Sequence, residues 1–333
     1  MLLEGLHIPL TTSFRRDGSV DYHALAANAR RYSLTPAAGL IVLGPTAEPT
    51  LLDDNETREV LRVVAATASP EKVLIAGIAR DSVCGALELA KCASEHAYDA
   101  VLVGVPGLPA RLQSLELVTF FRAIADGSPL PVLLLSTAER SLSAQVIVEL
   151  SSHPNIAGLL AAHAVGEITS NAPAVKREVT VTHVFTAVTK RMLRSSGTGL
   201  ISPAELGMLV APAPTLRTRT KTVGFQVIAA RSGELLDALE SGAVGIAPAF
   251  AAAAPQACYE IYAAWKDEDQ ALAAEKQQRI REAAGLAETL GPGGLKFAAD
   301  LNGYAGGFPR LPHLPPSGEQ RAQLEQWMKP LHN

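Results

Sequence analysis

The sequence predicts an α/β protein built on a parallel sheet, and three observations carry that prediction. Short apolar runs recur along the 333 residues, helical segments separate each from the next, and the runs are continuous rather than alternating. Strands buried on both faces read that way. Six such runs end by Leu160, more than half of an eight-fold barrel, and two more follow Gly224. A closed barrel and a doubly wound open sheet both satisfy this pattern.

Taken in order, Gly5 to Phe14 is the first strand, Arg16-Asp17-Gly18 a turn, and Asp21 the N-cap of a helix to about Tyr32. Gly39 to Leu43 is the second strand. It runs into the compact loop Gly44-Pro45-Thr46-Ala47-Glu48, and a helix begins near Asp54 with Glu56 and Thr57 in its first turn. The alternation continues with strand Lys72 to Ile78, helix Ser82 to His96, strand Ala100 to Val105, helix Leu112 to Ala125, strand Pro131 to Leu135 and helix Ser143 to Ser151. The sixth strand, Asn155-Ile156-Ala157-Gly158-Leu159-Leu160, ends without a reactive side chain.

The rhythm breaks after Leu160. Residues 161–224 hold strand-like alternation at Val179 to Thr182, a short helix around Ala187 to Leu193, a Gly/Ser turn at Ser195 to Gly199, and a Pro-Ala-Pro stretch before Thr215 to Lys221. Clearly more Lys and Arg than Asp and Glu occur here. A structureless loop of this length is uncommon in a compact domain, so the segment reads as an inserted subdomain or a long functional loop. Regularity resumes with strand Gly224 to Ala229, helix Gly233 to Glu240, strand Ala243 to Ala247 and a helix from Pro255 to Lys266. The expected division is a barrel over 1–266, with the insertion at about 161–224, and a C-terminal helical domain over 267–333. That domain contains a Gly291-Pro292-Gly293-Gly294 turn, a helix from Leu295 to about Leu301 and a last helix from Gly318 to Met328.

A hydrophobic content of 48% supports a sizeable core, and the formal charge of −4 provides no electrostatic reason for nucleic acid or an anionic membrane as main partner. Cys84, Cys92 and Cys258 lack metal-ligand spacing and fall in helices, the pattern of core thiols in a reducing compartment. No window reaches about 18 uninterrupted apolar residues. The expected location is cytoplasmic.

At Gly44-Pro45-Thr46-Ala47-Glu48 the chain resembles the dihydrodipicolinate synthase and N-acetylneuraminate lyase family of pyruvate-using class I aldolases. Thr11-Thr12-Ser13-Phe14, Ile75-Ala76-Gly77-Ile78, Asn155 to Gly158 and Phe225 to Ala229 extend the resemblance. The text from Gly294-Leu295-Lys296 through Asp300, Gly303-Tyr304, Gly306-Gly307 and Arg310-Leu311-Pro312 is similar to the 4-hydroxy-2-oxoglutarate aldolase branch. The resemblance implies a (β/α)8 TIM barrel with a C-terminal helical extension, a homo-oligomer (dimer or tetramer), and Schiff-base chemistry on a 2-oxo acid. In that chemistry a lysine ends the sixth strand, a tyrosine ends the fifth and relays protons, and a Thr-Thr pair after the second strand helps bind the carboxylate.

Carried across, the lysine position is Leu160 and the tyrosine position is Leu135. Neither side chain has a nitrogen or hydroxyl to react. The Thr-Thr pair becomes Pro45-Thr46, and the Pro-Tyr-Tyr text ending the fourth strand becomes Pro106-Gly107-Leu108. Thr46, Glu48 and Arg140 survive; Thr46 and Arg140 are the candidate ligands of a small carboxylate or 2-oxo acid. Glu48 is expected to tie its loop to a backbone N–H, and Lys296 and Tyr304 to be structural.

Three functions follow as expectations: a family barrel without Schiff-base chemistry that binds a small carboxylate; an active lyase using a displaced lysine from the insert, Lys176, Lys190 or Lys221; and an interaction protein whose insert forms a docking or oligomer surface. His163 and His183 read as loop or core histidines. No metal and no cofactor is expected.

Overall fold

The continuous apolar runs do form one closed parallel barrel. The computed structural model describes residues 1–108, 112–172, 176–182, 186–195 and 216–331. Its strands are β1 (Gly5–Pro9), β2 (Gly39–Val42), β3 (Val73–Ile78), β4 (Ala100–Gly104), β5 (Val132–Ser136), β6 (Ile156–Ala161), β7 (Arg177–Thr182), β8 (Thr218–Val223), β9 (Gln226–Ala229) and β10 (Gly245–Ile246). The barrel order is β1-β10-β9-β6-β5-β4-β3-β2, so β6 pairs directly with β9, and β7 and β8 form a separate antiparallel hairpin. Closure, rather than an open sheet, decides between the two arrangements that the sequence leaves.

The helices between strands are α1 (Tyr22–Ser33), α2 (Asp54–Thr67), α3 (Val83–Glu95), α4 (Ser114–Gly127), α5 (Ala144–Ser151), α6 (Val165–Asn171), α7 (Lys190–Ser195), α8 (Leu235–Glu240) and α9 (Pro255–Lys266). Their starts carry side-chain caps: Asp21 accepts from Ala24 N, and Asp53 with Glu56 forms a capping box. A C-terminal helical region follows as α10 (Gln270–Thr289), α11 (Gly291–Leu301) and α12 (Gly318–Met328). The Gly291 to Gly294 stretch, expected as a turn, is instead the first turn of α11, with Pro292 at a position where a missing N–H costs nothing. Among the described residues no helix is long and apolar enough to cross a membrane.

Strand alternation separates two cores. Leu74, Ala76 and Ile78 of β3 face the helices, while Val73 and Ile75 fill the barrel interior. On β6 the register to β5 shifts between Val132 and Leu133, where Ile156 and then Gly158 are the partners. Gly158 is needed there because a Cβ would stand 2.3 Å from Gln226 O on β9. Past the irregularity, Leu160 faces the interior and pairs with Leu135.

His7, opposite Gly39, is fully buried, and Nε2 lies 3.1 Å from Leu3 O. A carbonyl only accepts, so Nε2 carries the proton. Burial lowers the His7 pKa to about 4.

The extra segment leaves the barrel only after α6 has completed the sixth repeat, and it packs on the amino-terminal face. Val179 and Val181 of β7 close over Leu2. Arg177 and Arg191 meet the carboxyl ends of barrel helices. Buried Arg191 donates to Ala68 O and Ser69 O, both at 2.8 Å, and to Lys72 O at 2.5 Å, just past α2. Arg177 donates to Ser151 O and His153 O at 2.9 Å, at the end of α5. Helix carboxyl ends present carbonyls and partial negative charge, which suits them to these two guanidinium groups. The Gly/Ser turn over 196–199 and the Pro-Ala-Pro stretch lie outside the described residues.

Two measurements follow. Arg191→Met removes the guanidinium from three carbonyls, of which Ser69 O keeps its bond from Lys72 N–H, and is expected to lower stability by about 2–4 kcal/mol in urea unfolding, with Arg191→Lys recovering part of the loss; an unchanged midpoint would contradict the docking described. For His7 the folded pKa lies below the unfolded value, so the unfolded chain takes up the proton first. Stability is therefore lost as pH falls from about 6.5 towards about 4, by on the order of 3 kcal/mol. The pH slope of unfolding in His7→Gln is expected to be shallower than in the parent over that window; equal slopes would refute it.

Candidate functional site

In a parallel barrel the loops at the carboxyl ends of the strands carry the functional side chains. Here that mouth is lined from below by hydrocarbon. Leu160 is 4% exposed and packs in the interior with Leu102, Ile41 and Ile75, and Leu135 packs against the same cluster from the rim. The two positions that would hold an amine and a phenol are thus cross-strand neighbours occupied by leucine.

A cavity of about 360 Å³ lies over the ends of β2 to β5. Leu43, Ile78, Leu102, Val105 and Leu135 form its apolar part, and Thr50, Arg80, Thr137, Glu139 and Arg140 bring polar groups to its wall and rim. Arg140 sits in a closed turn: its N–H donates to Thr137 Oγ1 at 3.1 Å, and Thr137 N–H donates back to Arg140 O at 3.3 Å. The guanidinium lies flat against Gly107, where a Cβ would stand 2.8 Å from Nη1. Any larger residue at 107 would displace it.

The two cations of the cavity differ. Arg80 pairs with Asp54 at 2.5 Å. Arg140 makes a long contact of 3.5 Å to Val105 O and has no carboxylate partner among the described residues. A guanidinium with open donors facing a cavity is suited to bidentate recognition of a carboxylate. Asp81, on the same wall, is committed to Gly107 N–H at 2.6 Å.

Thr46 occupies a one-turn 3-10 segment, Pro45–Ala47, and its Oγ1 is buried without a hydrogen-bond partner. Its neighbours Pro45, Pro49 and Thr50 line the cavity. Arg140 is therefore on the lining, and Thr46 stands in the loop that backs it. Sequence reasoning missed Arg80, Thr50 and Gly107; the signal available was their place just past a strand end.

Glu48 has left-handed backbone, φ +54°, in the same loop. Its buried carboxylate accepts from Arg310 N at 2.8 Å and from Lys296 Nζ. Lys296 Nζ also donates to Phe308 O at 2.9 Å and sits 4.3 Å from the Phe14 ring centroid. Burial lowers the Lys296 pKa to about 8 against the pull of Glu48. This amine is enclosed and fully partnered, so it anchors the mouth loop to α11 and offers no nucleophile to the cavity. Tyr304 stacks on Tyr32 at 4.5 Å, in the same seam.

The displaced-lysine expectation meets an obstacle of distance. Lys190 N–H donates to Asp99 just before β4, Lys221 Nζ pairs with Glu4 just before β1, and exposed Lys176 precedes Arg177, which is bonded to the residues ahead of β6. All three lie at the amino-terminal face, a strand length of roughly 17 Å from the mouth. No lysine side chain of this chain spans that gap. His163 follows β6 and lines a separate cavity of about 130 Å³ with Arg231 and Glu234. His183 lies outside the described residues.

Residues 2–205 match the dihydrodipicolinate synthetase family. A 4-hydroxy-tetrahydrodipicolinate synthase of Acidiphilium cryptum is 26% identical over 332 residues, covering 98% of each chain. An L-threo-3-deoxy-hexylosonate aldolase of Aspergillus niger is 27% identical over 345 residues, covering 98% of this chain and 95% of its own. Among solved structures, a dihydrodipicolinate synthase of Bacillus anthracis superposes with a TM-score of 0.79 at 20% identity, over the whole of both chains, a likeness that speaks to the fold.

Proposed function

The chain belongs to the dihydrodipicolinate synthetase family, and from that premise we propose that this member has left Schiff-base aldol chemistry and holds a small carboxylate at the barrel mouth through Arg140. The observation that carries the proposal is the pair Leu135 and Leu160, neighbours across β5 and β6 on the interior face. Iminium formation needs an amine that condenses with a carbonyl, and the proton relay needs a group that titrates or donates. Hydrocarbon supplies neither. The only lysine near the mouth loop that the structure describes, Lys296, is buried against Glu48.

Arg140 supports the binding half of the proposal, because its guanidinium is held by Gly107 with donors free for an anion. Thr46 stands behind the wall with its buried hydroxyl unbonded. Two of the insert's cations, Arg177 and Arg191, are bonded to helix carboxyl ends of their own barrel, which favours this reading over one in which they serve a docking surface.

Borohydride reduction in the presence of pyruvate, 2-oxoglutarate or 4-hydroxy-2-oxoglutarate, read by intact mass, is expected to leave the mass unchanged. A reduced adduct on any lysine would sink the loss of Schiff-base chemistry. Calorimetric titration with a short carboxylate is expected to show binding that Arg140→Ala weakens at least about tenfold; equal affinity in both proteins would remove Arg140 from the site.

A further inference from the structure

We infer that the mouth cavity selects a single carboxylate joined to an apolar chain, and discriminates against pyruvate, hydroxylated 2-oxo acids and dicarboxylates. The inference rests on the reading of Arg140 as the anion ligand and extends it to the rest of the molecule bound.

Among the described residues the cavity has two cations, and Arg140 is the one without a carboxylate partner. Arg140 is unpaired by carboxylate among the described residues, whereas Arg80 is already held by Asp54. A second carboxylate on the ligand would have to compete with Asp54, and it would approach a wall that also carries Asp81 and Glu139. Like charges disfavour that arrangement.

Behind Arg140 the surface is hydrocarbon: Leu135 from β5, Leu102 from β4 and Leu43 from β2. The floor itself has no donor for a keto or hydroxyl oxygen, the hydroxyls of Thr50 and Thr137 standing on the wall and rim, and an oxygen desolvated on that floor without a partner weakens binding by about tenfold. A methylene placed on the same floor strengthens binding by about fourfold. The volume of about 360 Å³ admits a chain of several carbons beyond the carboxylate.

The test is calorimetric titration of the full chain with linear monocarboxylates from acetate to octanoate, together with pyruvate and glutarate. Affinity is expected to rise about fourfold per methylene until the cavity is filled, with hexanoate at least about a hundredfold tighter than pyruvate or glutarate. A flat series, or pyruvate or glutarate binding as tightly as hexanoate, overturns the inference. Leu135→Ser is expected to reduce the slope of the series; an unchanged slope puts the binding elsewhere and overturns it too. The two readings separate cleanly. A flat series that is still abolished in Arg140→Ala removes only the apolar preference, while a series that binds Arg140→Ala as well as the parent removes the anion site beneath it.

Discussion

In a barrel whose strands all run one way, every connecting helix must run back, and the two faces therefore differ in kind. The carboxyl ends of the strands gather at one face with their loops; the carboxyl ends of the helices gather at the other with unpaired carbonyls. Most of what is particular to this protein follows from that polarity. The segment between α6 and β9 closes the face where the helices end, and its Arg177 and Arg191 donate to carbonyls at the ends of α5 and α2. The same polarity removes its lysines from the mouth, however many of them the segment contains.

At the mouth, buried charge is used for architecture, and the interior face where β5 meets β6 is hydrocarbon. Glu48, in left-handed backbone, bonds Lys296 and the Arg310 N–H, while the Arg310 guanidinium reaches Glu56 at 2.6 Å and Gly18 O at 2.9 Å. The C-terminal region thus holds the loop after β2 from outside. Inside, Leu135 and Leu160 stand in register on adjacent strands. Side chains that meet in space share one environment, and at these two positions that environment is hydrocarbon.

The strands were legible because burial on both faces writes itself as unbroken apolar runs, and the helix starts because Asp21 and Asp53 cap with short polar side chains. The Gly291 to Gly294 stretch misled because glycine and proline signal turns locally, yet packing against α10 and the coil at Leu314 carries them into a helix. Arg140 was visible through the family resemblance, which carries an arginine at that place. Gly107, which holds it, was not, since a close approach between two loops leaves no mark in either.

What the sequence alone determined is chemical identity: no amine at 160, no phenol at 135, one guanidinium at 140, and a basic segment between the sixth and seventh barrel strands. Those follow from which atoms the residues contain. Tertiary structure alone decided direction and neighbourhood. An irregularity of register at Ile156 and Gly158 turns Leu160 inward beside Leu135, a missing Cβ at Gly107 seats the guanidinium, and helix polarity draws the basic segment to the opposite face. Each depends on contacts between residues far apart in the chain, where local pattern carries no information.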